Sequence, residues 1–229
     1  MMGYLVLQGG AEFGGRMRDA DLRAIELAGG FDAPIRIIPT AAAPDNNHQR
    51  AGNHGIRWFQ GLGAKDVLSV PLLSRIRADD KNIAQSLREA KLIYLLGGFT
   101  HYLAQTLKGS LAWEAVLEAF QGGAVIAGSS AGAMVMCEFY YDPGAGRVHD
   151  GLNLVLNSLV LPHHDTFGKG WSPRLLTKLP SVTLIGIDEQ TGMIDDGNDR
   201  SWNVYGRGAV TLYQNEEVTI HQAGKSFSV

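Results

Sequence analysis

Five short apolar runs set the terms for this chain: YLVLQ (4–8), PIRIIPT (34–40), DVLSV (66–70), KLIYLLGG (91–98) and GAVIAGS (123–129). Each has the length of a strand and is rich in Val, Ile and Leu. Longer amphipathic stretches separate them, at 14–29, 45–62, 80–90 and 100–120. Strands without a polar face, joined by helices, build a mostly parallel sheet with helices on both faces, so the expected fold class is α/β. A chain of 229 residues buries most of its apolar surface as a single α/β domain, and one domain over 1–229 is expected. The 100–120 stretch breaks at Gly109, and Ser110 is placed to cap the helix that follows. Leu22 and Ile25 mark the core face of the first helix.

Beyond residue 135 the pattern changes. The run LNLVLNSLVLPHH (152–164) leads to a helix that Ser172 is placed to cap, with Pro173 at its first position, and then to VTLIGIDEQTGMI (182–194). The last runs, NVYG (203–206), GAVTLY (208–213) and EEVTIHQ (216–222), read as antiparallel strands that close one edge of the sheet.

Composition narrows the function. Charged residues make up 19% of the chain and the net charge is −3, without runs of one sign, which argues against nucleic-acid and membrane-surface partners. A small ligand is expected. The single cysteine, Cys137, excludes an internal disulfide framework and reads as a buried, inert thiol. No Cys/His spacing matches a zinc site, so no metal and no cofactor are expected. The opening MMGYLVLQGG lacks the basic and long apolar regions of a leader, and no apolar run reaches membrane-spanning length; the expected setting is cytoplasmic.

Chemistry enters at AGSSAGAM (127–134). Gly128-Ser129-Ser130-Ala131-Gly132 fits G-x-S-x-G between a buried strand and a helix start. There a serine sits on a tight turn at the carboxyl edge of the sheet, and side chains two positions away would collide with it. The turn also aims backbone N–H groups, that of Ala131 among them, at the space beside the hydroxyl. A serine needs a base held by a carboxylate. Of the seven histidines, His48, His54, His101, His149 and His221 lie in polar or loop-like settings. His163 follows SLVLP at a strand end on that same edge, while the adjacent His164 points the other way. Asp188 and Glu189 end the run TLIGI, and alternation lets only one of them face the site. Asp165 is a further carboxylate nearby. The glycine-rich GGAEFGG (9–15) lacks both dinucleotide and P-loop spacing and reads as a tight first turn.

Taken together, GGF near 97, GSSAGAM at 128, LPHHD at 161 and GIDEQTG at 186 resemble the cyanophycinase and dipeptidase E family of serine peptidases. The resemblance runs from the first strand to GIDEQTG. It implies a flavodoxin-like sheet similar to that of the class I glutamine amidotransferases, with serine in place of the cysteine nucleophile. It implies Ser130 as nucleophile, His163 as base, Glu189 as orienting acid, and the N–H groups of Gly98 and Ala131 as the oxyanion hole. Small aspartyl or β-aspartyl peptides are the implied substrates, and pairing of two copies the implied assembly. The chain departs from the family at Phe99 and Thr100 after the paired glycines, and at Thr166, Phe167, Gly168 and Lys169, where an arginine-rich stretch is usual. Phe99, Thr100, Asp165, Phe167, Lys169 and Arg174 are thus the expected substrate contacts, with Trp171 beside them; Trp58, Trp113 and Trp202 read as packing anchors. An α/β-hydrolase esterase shares G-x-S-x-G but places its acid before a late histidine, and His221 belongs to a polar strand. A binding protein on the same fold is the remaining alternative.

Overall fold

The computed structural model describes residues 2–214 and 217–228. In chain order the elements are β1 (Leu5–Gln8), α1 (Met17–Leu27), β2 (Ile35–Ile38), α2 (His48–Leu62), β3 (Val67–Ser69), α3 (Arg75–Ala78), α4 (Lys81–Arg88), β4 (Leu92–Leu95), α5 (Thr100–Leu107), α6 (Leu111–Gln121), β5 (Val125–Ser129) and α7 (Ala131–Met136). They continue with β6 (Phe139–Asp142), β7 (Arg147–Asp150), β8 (Ser158–Leu161), α8 (Ser172–Lys178), β9 (Thr183–Ile187), β10 (Thr191–Ile194), β11 (Trp202–Gly206), β12 (Ala209–Gln214), β13 (Glu217–Gln222) and β14 (Ser226–Phe227).

The main sheet has eight strands in the order β14-β11-β10-β1-β5-β4-β2-β3, and β1, β5, β4, β2 and β3 run parallel. All five expected strands are present. Alternation divides their side chains: Leu5, Leu7, Ile93, Leu95 and Ile126 join one core, Val6, Ile35, Tyr94, Val125 and Ala127 the other. Leu87, Leu103, Val116 and Met134 of α4 to α7 cover the first face; Ile25 of α1 and Phe59 of α2 cover the second. At about 1.5–3 kcal/mol per fully buried large apolar side chain, these two layers carry the fold. Caps set the helix starts. Ser110 Oγ accepts the Trp113 N–H at 3.1 Å, as expected, and Asp80 caps α4 from Asn82 N at 2.9 Å.

The second half departs from a single sheet. The run 182–194 is cut in two: β9 pairs with β8 and β12 in a separate four-stranded sheet, β13-β12-β9-β8, while β10 lies antiparallel to β1 in the main sheet. Of the C-terminal strands, β11 and β14 extend the main sheet and β12 and β13 build the small one. The EEVTIHQ run starts at Glu216, outside the described residues, and pairs from Glu217. Only SLVL of the 152–164 run becomes a strand, and a hairpin, β6–β7, precedes it. Ser172 does not cap α8. It is the first helical residue, and its hydroxyl donates to the Lys169 carbonyl at 2.9 Å. Among the described residues no helix is long and apolar enough to cross a membrane.

Candidate active site

Ser130 stands between β5 and α7 with φ +49° and ψ −112°, a conformation that side-chain-bearing residues avoid. The flanking glycines make that turn feasible. A Cβ at Gly128 would fall 2.5 Å from the Gly132 carbonyl carbon, and one at Gly132 would fall 2.1 Å from the Leu95 carbonyl oxygen. The helix is thereby drawn onto the sheet, with Ser130 at its entrance. Ser129, just before it, turns the other way and donates to Glu12 Oε2 at 2.9 Å.

Two successive carbonyls at the end of β1 hold the serine and the histidine. Gln8 O accepts the Ser130 N–H at 3.0 Å, and Gly9 O accepts the His163 N–H at 2.8 Å. Neighbouring carbonyls in a strand point to opposite sides, so one reaches toward β5 and the other toward the loop after β8. His163 also has positive φ, +48°, and Phe167 stacks on its ring at 4.8 Å between centroids. The side chains then meet. His163 Nε2 lies 3.1 Å from Ser130 Oγ, and Nδ1 lies 2.7 Å from Glu189 Oε1.

Alternation sorts the remaining pair. His164 is buried, 2.9 Å from the Tyr213 hydroxyl, and Asp188 accepts the Ala209 N–H at 2.9 Å. His164 and Asp188 approach each other at 3.5 Å, away from Ser130. Burial lowers the His164 pKa below the ordinary imidazole value, against the pull of Asp188. Among the described residues Asp165 hydrogen-bonds no histidine; its carboxylate accepts the Glu189 N–H at 2.9 Å and so orients the residue that does.

The two residues read as backbone donors lie at turns that follow neighbouring strands, Gly98 after β4 and Ala131 after β5. Gly98 follows β4 with φ +135°, a conformation open to glycine, and a Cβ there would stand 2.4 Å from Ala41 O. Phe99 N donates to Ala41 O at 2.8 Å, which fixes the turn, and Ala131 opens α7, where the first N–H groups have no partner within the helix. A cavity of about 560 Å³ adjoins Gly97 and Gly98, lined also by Glu12, Arg50, His54 and Arg57.

A model of the family described as "Peptidase family S51" matches residues 5–200. The chain belongs to peptidase family S51. It is a serine-peptidase-type hydrolase. It is 28% identical over 228 residues to a cyanophycinase of Geminocystis herdmanii, spanning 95% of this chain and 82% of that protein. A cyanophycinase of Thermosynechococcus vestitus is 26% identical over 230 residues, spanning 95% and 70%. The crystal structure of a peptidase from an acI-B1 Actinobacterium superposes with a TM-score of 0.89 at 30% identity, covering 100% of this chain and 98% of that one. A putative peptidase E protein from Listeria monocytogenes shares the fold, with a TM-score of 0.64 at 21% identity, covering 98% and 100%.

Within this S51 chain the expected substrate contacts scatter. Phe99 is 51% exposed and lines a second cavity that also reaches Gly98 and Thr100; Thr100 is itself buried, with its hydroxyl toward Met134 Sδ at 3.7 Å. Phe167, 55% exposed, packs between His163 and Trp171. Arg174 donates to the Gly146 carbonyl at 3.1 Å, in the turn of β6–β7. Lys169 forms no ion pair among the described residues, and its charge acts on His164. Sequence reading passed over three features: Glu12, which GGAEFGG contains but no motif flags; Gly10, whose backbone faces the His163 ring; and the cavity-facing arginines of α2. Of these, only the paired glycines at 9–10 carried a local signal.

Proposed function

We propose that this S51 peptidase hydrolyses small acidic peptides, at aspartyl or β-aspartyl bonds, with Ser130 as nucleophile, His163 as base and Glu189 as orienting acid. The observation that carries the reading is the unbroken chain from Glu189 Oε1 through His163 to Ser130 Oγ, at 2.7 and 3.1 Å. Both distances are within the reach that proton transfer needs. Ser130 Oγ attacks the substrate carbonyl as Nε2 takes its proton, and the Gly98 and Ala131 N–H groups receive the oxyanion. His163 then hands the proton to the leaving amine as the C–N bond breaks. Water, deprotonated by the same imidazole, releases the acyl group. Glu189 stabilises the imidazolium formed in each half.

Acidic specificity fits the α2 wall. Arg50 and Arg57 are exposed, their guanidinium groups form no ion pair or hydrogen bond among the described residues, and both line the cavity that reaches Gly97 and Gly98. A guanidinium there can grip a carboxylate in two-point fashion, which lysine cannot match. Lys169 is exposed and near enough to His164 for its charge to act there, while Arg174 is engaged by the hairpin.

The test is a panel of Asp-X, β-Asp-X, Glu-X and Leu-X dipeptides with the wild type, Ser130→Ala and the double variant Arg50→Met/Arg57→Met. Acidic substrates turned over by the wild type, a loss of about 10⁴-fold or more in Ser130→Ala, and a raised KM in the arginine variant are expected. Turnover untouched by Ser130→Ala refutes the nucleophile. Serine-dependent cleavage of Leu-X alone refutes the acidic specificity and leaves the triad standing.

A further inference from the structure

We propose that His101, Asp142 and His149 form a zinc-binding site that ties the β6–β7 hairpin to α5. The three residues come from different elements: His101 from the first turn of α5, Asp142 from the end of β6 and His149 from β7. One ligand atom from each lies within 4.8 Å of the others. Donors around a tetrahedral zinc stand about 3.4 Å apart, a contraction that rotation of these partly exposed side chains can supply. Spacing along the sequence shows no zinc pattern because His101 and Asp142 stand 41 positions apart, with α6, β5 and α7 between them.

The surroundings are those of a ligand set rather than of a chance meeting. His149 Nε2 is buried and has no hydrogen-bond partner. Such a nitrogen has lost water and received nothing in exchange, and a lone pair in that state is suited to a metal ion. The two imidazoles approach with centroids 4.6 Å apart, without a bond between them. Each of the other two groups is held from outside: the buried Tyr140 hydroxyl lies 2.8 Å from His101 Nδ1, and Asp142 Oδ1 accepts the Gly144 N–H at 3.0 Å. Outer partners of this kind orient metal ligands. Two imidazoles and a carboxylate are a borderline donor set, which favours zinc over calcium or magnesium. His101 and Asp142 also line the cavity of about 750 Å³ that reaches Gly98 and Phe99, so an ion there would sit in the wall of that cavity with room for a further ligand.

The proposal does not depend on the choice of nucleophile, and its test keeps the two apart. The full chain, stripped with a chelator, is titrated with Zn²⁺ by calorimetry and with Co²⁺ by visible absorption. One ion per chain is expected, with the ligand-field bands of a low-coordinate nitrogen and oxygen site. His149→Ala and Asp142→Asn should each weaken binding by about 100-fold or more, with circular dichroism recorded to show that the variants fold. Asp142→Asn keeps the shape of the side chain and serves if His149→Ala does not fold. His163→Ala should bind zinc as the wild type does. No saturable binding up to the millimolar range overturns the proposal. So does binding that survives His149→Ala and Asp142→Asn, or that disappears in His163→Ala.

Discussion

The imidazole of His163 occupies the space that a side chain at position 10 would need: a Cβ on Gly10 would stand 2.2 Å from His163 Cε1. The backbone of the first loop is therefore one wall of the base's pocket. Gly10 also has φ +131°, which adds strain to any replacement. Gly10→Ala should push the ring off the line between Glu189 and Ser130 and lower kcat by about 10²-fold or more, the scale of an ångström's misplacement. Steady-state kinetics on the best acidic dipeptide will show it; a kcat within twofold of wild type refutes the contact.

Asp165 is expected to act through Glu189 rather than on substrate. Its carboxylate holds the Glu189 N–H, a bond that the amide oxygen of asparagine can also accept. Asp165→Ala should reduce kcat by about 10²-fold with little change in KM, and Asp165→Asn should restore most of it. A rise in KM shared by both variants would instead make Asp165 a substrate contact.

Beneath the site lies a buried carboxylate. Asp21 accepts Gln8 Nε2 and Trp58 Nε1, both at 2.7 Å, and burial pushes its pKa from 3.8 up to about 7 despite those bonds. Between these values the folded chain holds a proton that the unfolded chain has released, so stability falls as pH rises through that window. The contribution is full below pH 3.8 and gone above about 7. Asp21→Asn removes the titration. Urea unfolding at pH 5 and pH 8 should show the variant gaining on the wild type at the higher pH, and parallel curves would refute the assignment.

The elbow glycines make a stability prediction. Gly132→Ala places a methyl group 2.1 Å from the Leu95 carbonyl oxygen, which is backbone and has little room to move. Overpacking of this kind costs about 1–3 kcal/mol or more. Thermal unfolding should show a clear drop in Tm, while an unchanged Tm would mean that α7 can lift from β4 freely.

Much of this was readable in the sequence. The parallel strands announced themselves as apolar runs, Ser130 by its glycines, His163 by its place at a strand end, and Asp188 and Glu189 as two carboxylates at the end of another. What escaped is non-local. Nothing in TLIGIDEQTGMI marks where it leaves one sheet for another, because three polar residues interrupt a run that is apolar on both sides and buried in both sheets. Alternation alone left Asp188 and Glu189 open and only the family resemblance pointed to Glu189; in the fold each carboxylate pairs with its own histidine. Arg50 and Arg57 look like ordinary charges on an exposed helix face until α2 is set beside Gly97. The hairpin of β6 and β7, hidden in FYYDPGAGRVHD, was passed over although PGAG is a turn signal.

The paired carbonyls of Gln8 and Gly9 have a consequence for how this molecule fails. Serine and histidine come from different sheets, yet both hang on adjacent links of one strand, about 3.8 Å from one Cα to the next. Their separation is gauged by covalent bonds, not by how closely the two sheets pack. Warming or mild denaturant can loosen the seam between the sheets without moving the reacting atoms apart. Activity should then persist until β1 itself is pulled from the main sheet, and be lost together with the fold.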